Sequence, residues 1–140
     1  MNAIGKVSFG ALILGLTLPA LAASQVMLPQ ARTDGAVTYL SGGIGRDEAL
    51  AMRRAEKNYP LSMVFSAGKH NEYVADVYVT IKNTAGKAVL NTISDGPIML
   101  VKLPAGKYAL TAEMDGKTLH RTAMVSGTGD VQKAFHWPKA

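Results

Sequence analysis

The sequence predicts a mainly β protein, a small β-sandwich with one helix towards its N-terminal side. Two observations predict this fold class. In residues 95–110, the turn Asp95-Gly96-Pro97 releases a short apolar strand, and the turn Leu103-Pro104-Ala105-Gly106-Lys107 reverses it before an alternating strand begins at Tyr108. Turn signals also recur along the chain at intervals of roughly ten residues, which favours a sandwich over a parallel doubly wound sheet.

Residues 1–22 have the pattern of a secretory signal peptide. Lys6 supplies a positive charge, residues 7–18 are mainly apolar, and Ala20-Leu21-Ala22 fits a cleavage site. We therefore expect a mature chain in the periplasm or outside the cell. An uncleaved membrane anchor is the alternative, which the shortness of the apolar run disfavours.

The remaining chain has the length of one domain. Residues 23–35 are polar and predict a flexible lead-in, so the domain is expected to span residues 36–140. Within it we distinguish a β-α-β element at residues 36–68 and a sandwich at residues 72–137.

Composition excludes several classes of site and partner. The chain has no cysteine, so no disulfide can staple the fold and no thiolate can act as a ligand or nucleophile. Without Lys6, 14 of the 15 basic residues remain against 10 acidic ones, a mild excess without a dense basic patch. This balance disfavours nucleic acid and suits a partner in the cell envelope, a protein or a polysaccharide. We expect no cofactor, and no stable membrane insertion after signal cleavage.

The β-α-β element begins with a strand at residues 37–40. A glycine-rich turn, Ser41-Gly42-Gly43-Ile44-Gly45, leads into a helix predicted from about Asp47 to Asn58. Ala49, Met52, Ala55 and Tyr59 form its apolar stripe, and Pro60 ends it. A second strand is predicted at residues 61–65.

The sandwich is predicted from a succession of short strands. Residues 75–82 alternate apolar and polar side chains, as a half-buried strand does. Asp115-Gly116 is a strong hairpin signal. The other strands are expected at residues 87–94, 98–103, 108–113, 118–125 and 131–137, with Tyr108, Leu110, Ala112, Val131, Phe135 and Trp137 facing the core.

Residues 72–137 resemble the carboxypeptidase regulatory-like domain. The resemblance rests on a V-x-V-x-I strand, a turn with glycine, and an L-P-A-G-x-Y turn. The matching residues are Val77, Val79, Ile81, Gly86, Leu103, Pro104, Ala105, Gly106 and Tyr108. The resemblance implies a transthyretin-like Greek-key sandwich and a non-catalytic module that supports folding or contacts, with no catalytic residues to carry over.

Residues 36–68, the N-terminal β-α-β embellishment, depart from that family pattern, and with them the chain resembles stand-alone periplasmic proteins of this class. A binding function specific to this protein is therefore expected on the glycine-rich turn and the helix. The candidate residues are Gly42, Gly43, Gly45, Arg46, Arg53 and Arg54. Anion binding at Gly43-x-Gly45 is an alternative, but Asp47 and Glu48 place negative charge there. Tyr78, on the outward side of its strand, is a further candidate for contact with a sugar or peptide.

We thus expect a non-catalytic, exported binding or accessory module of the cell envelope with an unknown ligand. The first alternative is a periplasmic protein that handles copper or zinc, using His120, His136, Met114 and Met124. The second is a small hydrolase, although no Ser-His-Asp or paired-carboxylate spacing is apparent.

Overall fold

The computed structural model describes residues 27–138, so the predicted signal peptide and the start of the predicted lead-in lie outside the described residues. In the described part, ten strands form two sheets. The strands are β1 (Arg32–Asp34), β2 (Val37–Gly42), β3 (Leu61–Ala67), β4 (Glu72–Tyr73), β5 (Val77–Lys82), β6 (Ala88–Ser94), β7 (Ile98–Lys102), β8 (Gly106–Met114), β9 (Lys117–Val125) and β10 (Val131–Trp137). One helix, α1 (Arg46–Ala55), continues into a 3-10 turn at Glu56–Asn58.

The two sheets pack face to face. The six-stranded sheet has the order β1-β2-β7-β3-β10, with β4 beside the end of β3, and the four-stranded sheet has the order β6-β5-β8-β9. Neighbouring strands are antiparallel except β3 and β10, which are parallel. The predicted mainly β, two-sheet architecture is confirmed.

The main core lies between the sheets. Phe65 of β3 packs beside Phe135 and Trp137 of β10, with ring centroids 5.7 and 6.5 Å apart. The predicted alternation holds for β5, where Val77, Val79 and Ile81 are fully buried. It holds equally for the predicted inward residues of β8, which are Tyr108, Leu110 and Ala112.

Helix α1 covers the other face of the six-stranded sheet. Met52 and Ala55 pack on a second cluster formed by Leu40, Val64, Ile98 and Leu100. Strands β2, β3 and β7 are therefore buried on both faces, which explains their continuous apolar runs. No helix within residues 27–138 has the length and apolar character needed to cross a bilayer.

The sheet topology corrects the division between an embellishment and a sandwich. Strand β7, from the predicted sandwich, lies between β2 and β3 and pairs with both. Tyr39 and Phe65, from the predicted embellishment, belong to the main core. Because β2 and β3 are two of the three central strands of the six-stranded sheet, residues 36–68 are an integral part of the domain.

The predicted lead-in also needs correction in its second half. Residues 32–34 form β1, which pairs with β2 so that Thr33 lies opposite Thr38. All three residues of β1 are exposed and polar. The strand therefore lacks the alternation of apolar and polar residues by which strands are predicted from sequence.

The turn Asp95-Gly96-Pro97 is packed against the glycine-rich turn. The backbone N–H of Asp95 donates to the Ser41 hydroxyl over 3.0 Å, and Ser94 Oγ donates to the carbonyl of Gly96. A Cβ atom on Gly96 would lie 2.3 Å from the carbonyl oxygen of Gly42. Two backbone segments thus meet at a distance that only glycine allows.

The L-P-A-G-x-Y turn is fixed by its tyrosine. The Tyr108 hydroxyl donates to the carbonyl of Pro104 over 2.7 Å, so the ring that enters the core also closes the turn before it. Burial raises the pKa of Tyr108, because apolar surroundings disfavour the phenolate.

We expect this burial to appear in the alkaline stability of the protein. The pKa of Tyr108 is higher in the folded state than in the unfolded state. Its contribution to the free energy of unfolding is therefore complete below the unfolded-state pKa of about 10 and is lost as the pH rises beyond it. Tyr108→Phe should cost about 1 kcal/mol at neutral pH through the lost hydrogen bond, but its stability should fall less steeply at alkaline pH. Urea unfolding between about pH 8 and pH 11 measures both effects. Tyr78→Phe, at an exposed site, is the control, and parallel alkaline slopes for Tyr108→Phe and the parent would contradict the expectation.

Candidate binding surface

The glycine-rich turn before α1 depends on backbone conformations that favour glycine. Gly43 and Gly45 have φ angles of 95° and 87°. Gly42 is restricted by space instead, because a Cβ there would lie 2.5 Å from Pro29 Cγ and 2.7 Å from Glu48 Oε1. The three glycines therefore have a structural role in turning the chain from β2 into the helix.

Glu48 occupies the position that an external anion would take. Its Oε1 accepts the backbone N–H of Gly43 over 2.7 Å, and it lies in the first turn of α1 together with Asp47. Negative charge near the positive end of the helix stabilises α1. A phosphate or sulfate would have to displace this carboxylate, so the geometry does not favour the anion-binding alternative.

Beside this turn lies a cavity of about 300 Å³, which we call the α1 groove. One wall is the turn and the start of α1, and the other is the segment that follows β4. Its lining residues are Gly43, Ile44, Gly45, Arg46, Ala49, Tyr73, Val74, Ala75 and Pro97. The groove thus contains Gly43, Gly45 and Arg46 from the predicted site.

Arg53 holds β4 against the helix. Its Nη2 donates to the Tyr73 hydroxyl over 3.0 Å, and its Nη1 lies 3.4 Å from Glu56 Oε2. The hydrogen bond to Tyr73 is the main cause that raises the pKa of Arg53. Arg53 therefore connects α1 to β4 through its hydrogen bond to Tyr73. Of the other two predicted arginines, the exposed Arg46 lines the groove and Arg54 does not.

Exposed apolar side chains gather at the α1 groove. Ile44 is 65% exposed and Tyr73 is 50% exposed, and both line it. Leu50, one helical turn after Arg46, is also exposed. Apolar side chains that cluster at the surface are typical of interaction sites.

Tyr78 lies on the outer face of the four-stranded sheet, across from Ile93 and Glu113. It lines a second cavity, of about 500 Å³, together with Val74, Ala75, Asp76, Glu113, Met114 and Asp115. Val74 and Ala75 line both cavities. The two predicted binding patches, the glycine-rich turn and Tyr78, therefore flank one short segment at the same end of the molecule.

The structure does not assemble the alternative metal site. His120 lies on the outward side of β9 in the four-stranded sheet, whereas His136 lies on the side of β10 that faces away from the core of the sandwich. The whole sandwich therefore separates the two imidazoles. Met124 is exposed and Met114 packs on the core. Within the described residues, no three His, Cys, Asp or Glu side chains come together as metal ligands.

His136 has a different partner. Its Nδ1 lies 2.9 Å from Ser66 Oγ on the parallel strand β3. A hydroxyl beside an imidazole is the first requirement of nucleophilic catalysis, but a third group must orient the imidazole. In the described part of the chain, no carboxylate hydrogen-bonds to His136, so this pair alone gives no catalytic centre.

Comparison of the sequence with protein-family models and with curated proteins finds no match.

Sequence reasoning missed Tyr73, the aromatic residue that joins the groove to the helix. It follows a polar stretch, His70-Asn71-Glu72, that gives no strand alternation. Its partner Arg53 lies 20 residues earlier, and no local pattern links the two positions.

Proposed function

We propose that this protein is an exported, non-catalytic binding or accessory module of the cell envelope that holds its partner at the α1 groove. The observation that carries the proposal is the exposure of Ile44 and Tyr73, two large apolar side chains that line the same cavity. Leu50, exposed one helical turn after Arg46, adds apolar surface on α1. The signal-peptide pattern of residues 1–22 supports a location in the periplasm or outside the cell.

We further propose membership of the carboxypeptidase regulatory-like, transthyretin-like Greek-key class. The support comes from the L-P-A-G-x-Y turn, where the bond from Tyr108 to Pro104 gives the motif a physical purpose. The two packed sheets are compatible with this class. Within it, a module without catalytic residues is the expected kind of protein.

The partner is proposed to be an envelope protein or a polysaccharide. Tyr73 offers a ring on which a sugar can stack, whereas Ile44 and Leu50 suit apolar side chains. The predominance of aliphatic exposure around the groove favours a protein partner.

Ile44→Asp tests the proposal. This change places a charge on an exposed apolar residue of the groove, and we expect it to reduce recovery of the partner about tenfold or more. The immobilised protein is incubated with envelope extract and with purified envelope polysaccharide, and the retained material is quantified.

Met124→Asp is the matched control, because Met124 is equally exposed, at 65%, on the outer face of the four-stranded sheet. This variant should retain the partner at the parent level. Recovery that is the same with Ile44→Asp and with the parent would refute the α1 groove as the binding surface.

A further inference from the structure

In the described part of the chain, the outermost strands of the two sheets, β1, β10, β6 and β9, differ in how they are protected. Strand β1 is only three residues long and contains Arg32 and Asp34. Strands β9 and β10 carry several basic side chains, and β6 alone has neither charge nor proline in its seven residues, Ala88–Ser94. Short length, charge, proline and β-bulges are the usual devices that keep edge strands from pairing with other chains. Strand β6 has one irregularity, at Val89, so its regular edge is residues 90–94.

The β9–β10 side of the sandwich is closed by side chains. Trp137 Nε1 donates to the carbonyl of Lys117 over 3.0 Å, and the Arg121 guanidinium lies 5.4 Å from the centre of the Phe135 ring. These contacts bridge the two sheets at that side. On the β6 side, the contacts between the sheets are polar ones: the Tyr39 hydroxyl meets the Thr92 hydroxyl, and Arg32 meets Asp95 just after β6.

The six-stranded sheet is one strand wider than the four-stranded sheet on the β6 side. We call the uncovered space beside β6 and above β1 the step. Strand β2 lies across from β6, where the Tyr39 and Thr92 hydroxyls are 3.2 Å apart, and β10 lies across from β9. Four strands therefore face four strands. Strand β1 extends the six-stranded sheet one position beyond β6, and no described strand lies opposite it.

Two of the three side chains of β1, those of Arg32 and Asp34, point into this open position. Arg32 and Asp34 pair with Tyr39 and Val37, whose side chains face the core, so they project from the same face of the sheet. Arg32 reaches Asp95, directly after β6, over 2.9 Å. At the other end of the step, Asp34 lines a cavity of about 420 Å³ together with Lys87, Ala88 and Val89.

We propose that β6 accepts an extended segment of a partner polypeptide, which becomes a fifth strand of the four-stranded sheet and lies over β1. Its backbone would pair with the free edge of β6. Alternate side chains would lie beside the exposed Ile93 on the outer face, where an apolar residue fits. The others would face Arg32, Asp34 and Lys87, where polar residues fit. This surface is separate from the α1 groove and does not depend on it.

The step conflicts with antiparallel pairing between β6 strands of two copies of this chain, which would place both six-stranded sheets on the same side. A β6 strand from another copy would bring its own β2 along, since β2 lies across from β6 in each copy. That β2 would need the space that β1 already fills. A single strand without a sheet behind it has no such conflict.

The probe for this proposal is a capped heptapeptide of alternating threonine and valine, with an N-methylated version that cannot form the backbone hydrogen bonds. At about 1 mM, the first peptide should slow amide hydrogen exchange about tenfold at the β6 amides that face away from β5, and the methylated peptide should not. Unchanged exchange at these amides with the first peptide would overturn the proposal.

Ile93→Lys supplies an edge lysine of the kind that blocks strand pairing, and it should weaken peptide binding about tenfold. Met124→Lys, on the opposite edge strand of the same sheet, should bind as the parent does; equal affinities for the two variants would overturn the proposal.

Two other occupants of the edge can be detected directly. A dimer in sedimentation that Ile93→Lys dissociates would overturn the proposal, because a second copy would then occupy the edge. Slow exchange of the β6 amides without peptide, lost when residues 1–26 are removed, would assign the edge to the chain's own N-terminal segment and would likewise overturn it.

Discussion

Gly96→Ala should lower the free energy of unfolding by about 3 kcal/mol or more, the largest effect expected from adding one methyl group to this protein. The added Cβ would lie 2.3 Å from the carbonyl oxygen and 2.5 Å from the carbonyl carbon of Gly42. These are backbone atoms, and no rotamer change can move them away. Relief would require the Asp95-Gly96-Pro97 turn to separate from β2, which would break the hydrogen bond from Asp95 to Ser41.

Chemical denaturation of the two proteins measures this loss. Gly127→Ala is the matched control, because no atom lies within 4 Å of a Cβ at that glycine. We expect the control to remain within about 0.5 kcal/mol of the parent. If both alanine variants unfold at the same denaturant concentration, the close contact between the two turns is not a feature of the folded protein.

Phe65→Ala should destabilise the protein by about 3–5 kcal/mol, because Phe65 is fully buried between Phe135 and Trp137 and its removal leaves a cavity. The residue lies in β3, within the segment that the sequence alone assigned to an embellishment. In the folded domain this strand is central, so the loss should affect the whole protein in a single transition.

Two probes test that cooperativity. Fluorescence of Trp137, the only tryptophan, reports on β10, and far-ultraviolet circular dichroism reports on all elements. We expect coincident unfolding curves for the parent and for Phe65→Ala. Tyr78→Ala truncates an exposed aromatic residue and should cost less than about 1 kcal/mol. Separate transitions by the two probes would indicate that residues 36–68 unfold independently after all.

Much of the fold could be predicted where the information is local. The alternation of Val77, Val79 and Ile81 predicts a strand with one buried face, and that is β5. Asp115-Gly116 predicts a two-residue hairpin, and both residues have positive φ angles between β8 and β9. These features can be predicted from the sequence because each depends on the residues of a single turn or a single strand.

The rest depends on which strands become neighbours. Nothing in the apolar run of β7 tells that it inserts between β2 and β3, since a strand buried on both faces lacks alternation. The separation of His120 from His136 has the same origin: both are outward residues of adjacent strands in the chain, but the strands belong to different sheets. For the candidate site, the glycine-rich turn was predicted from its sequence, whereas Tyr73 was found only through its contact with Arg53.

The parallel pairing of β3 with β10 has a consequence for the time course of folding. Ser66 and His136 are neighbours in the sheet but lie 70 positions apart in the chain. Such distant partners make folding slow, because a long loop must close before the contact brings any gain. The main core includes Phe135 and Trp137, so it can be completed only after the end of β10 has emerged from the ribosome. Until then β3 lacks its partner strand along Leu61–Ala67, so a strand that is internal in the folded domain has a free edge during synthesis.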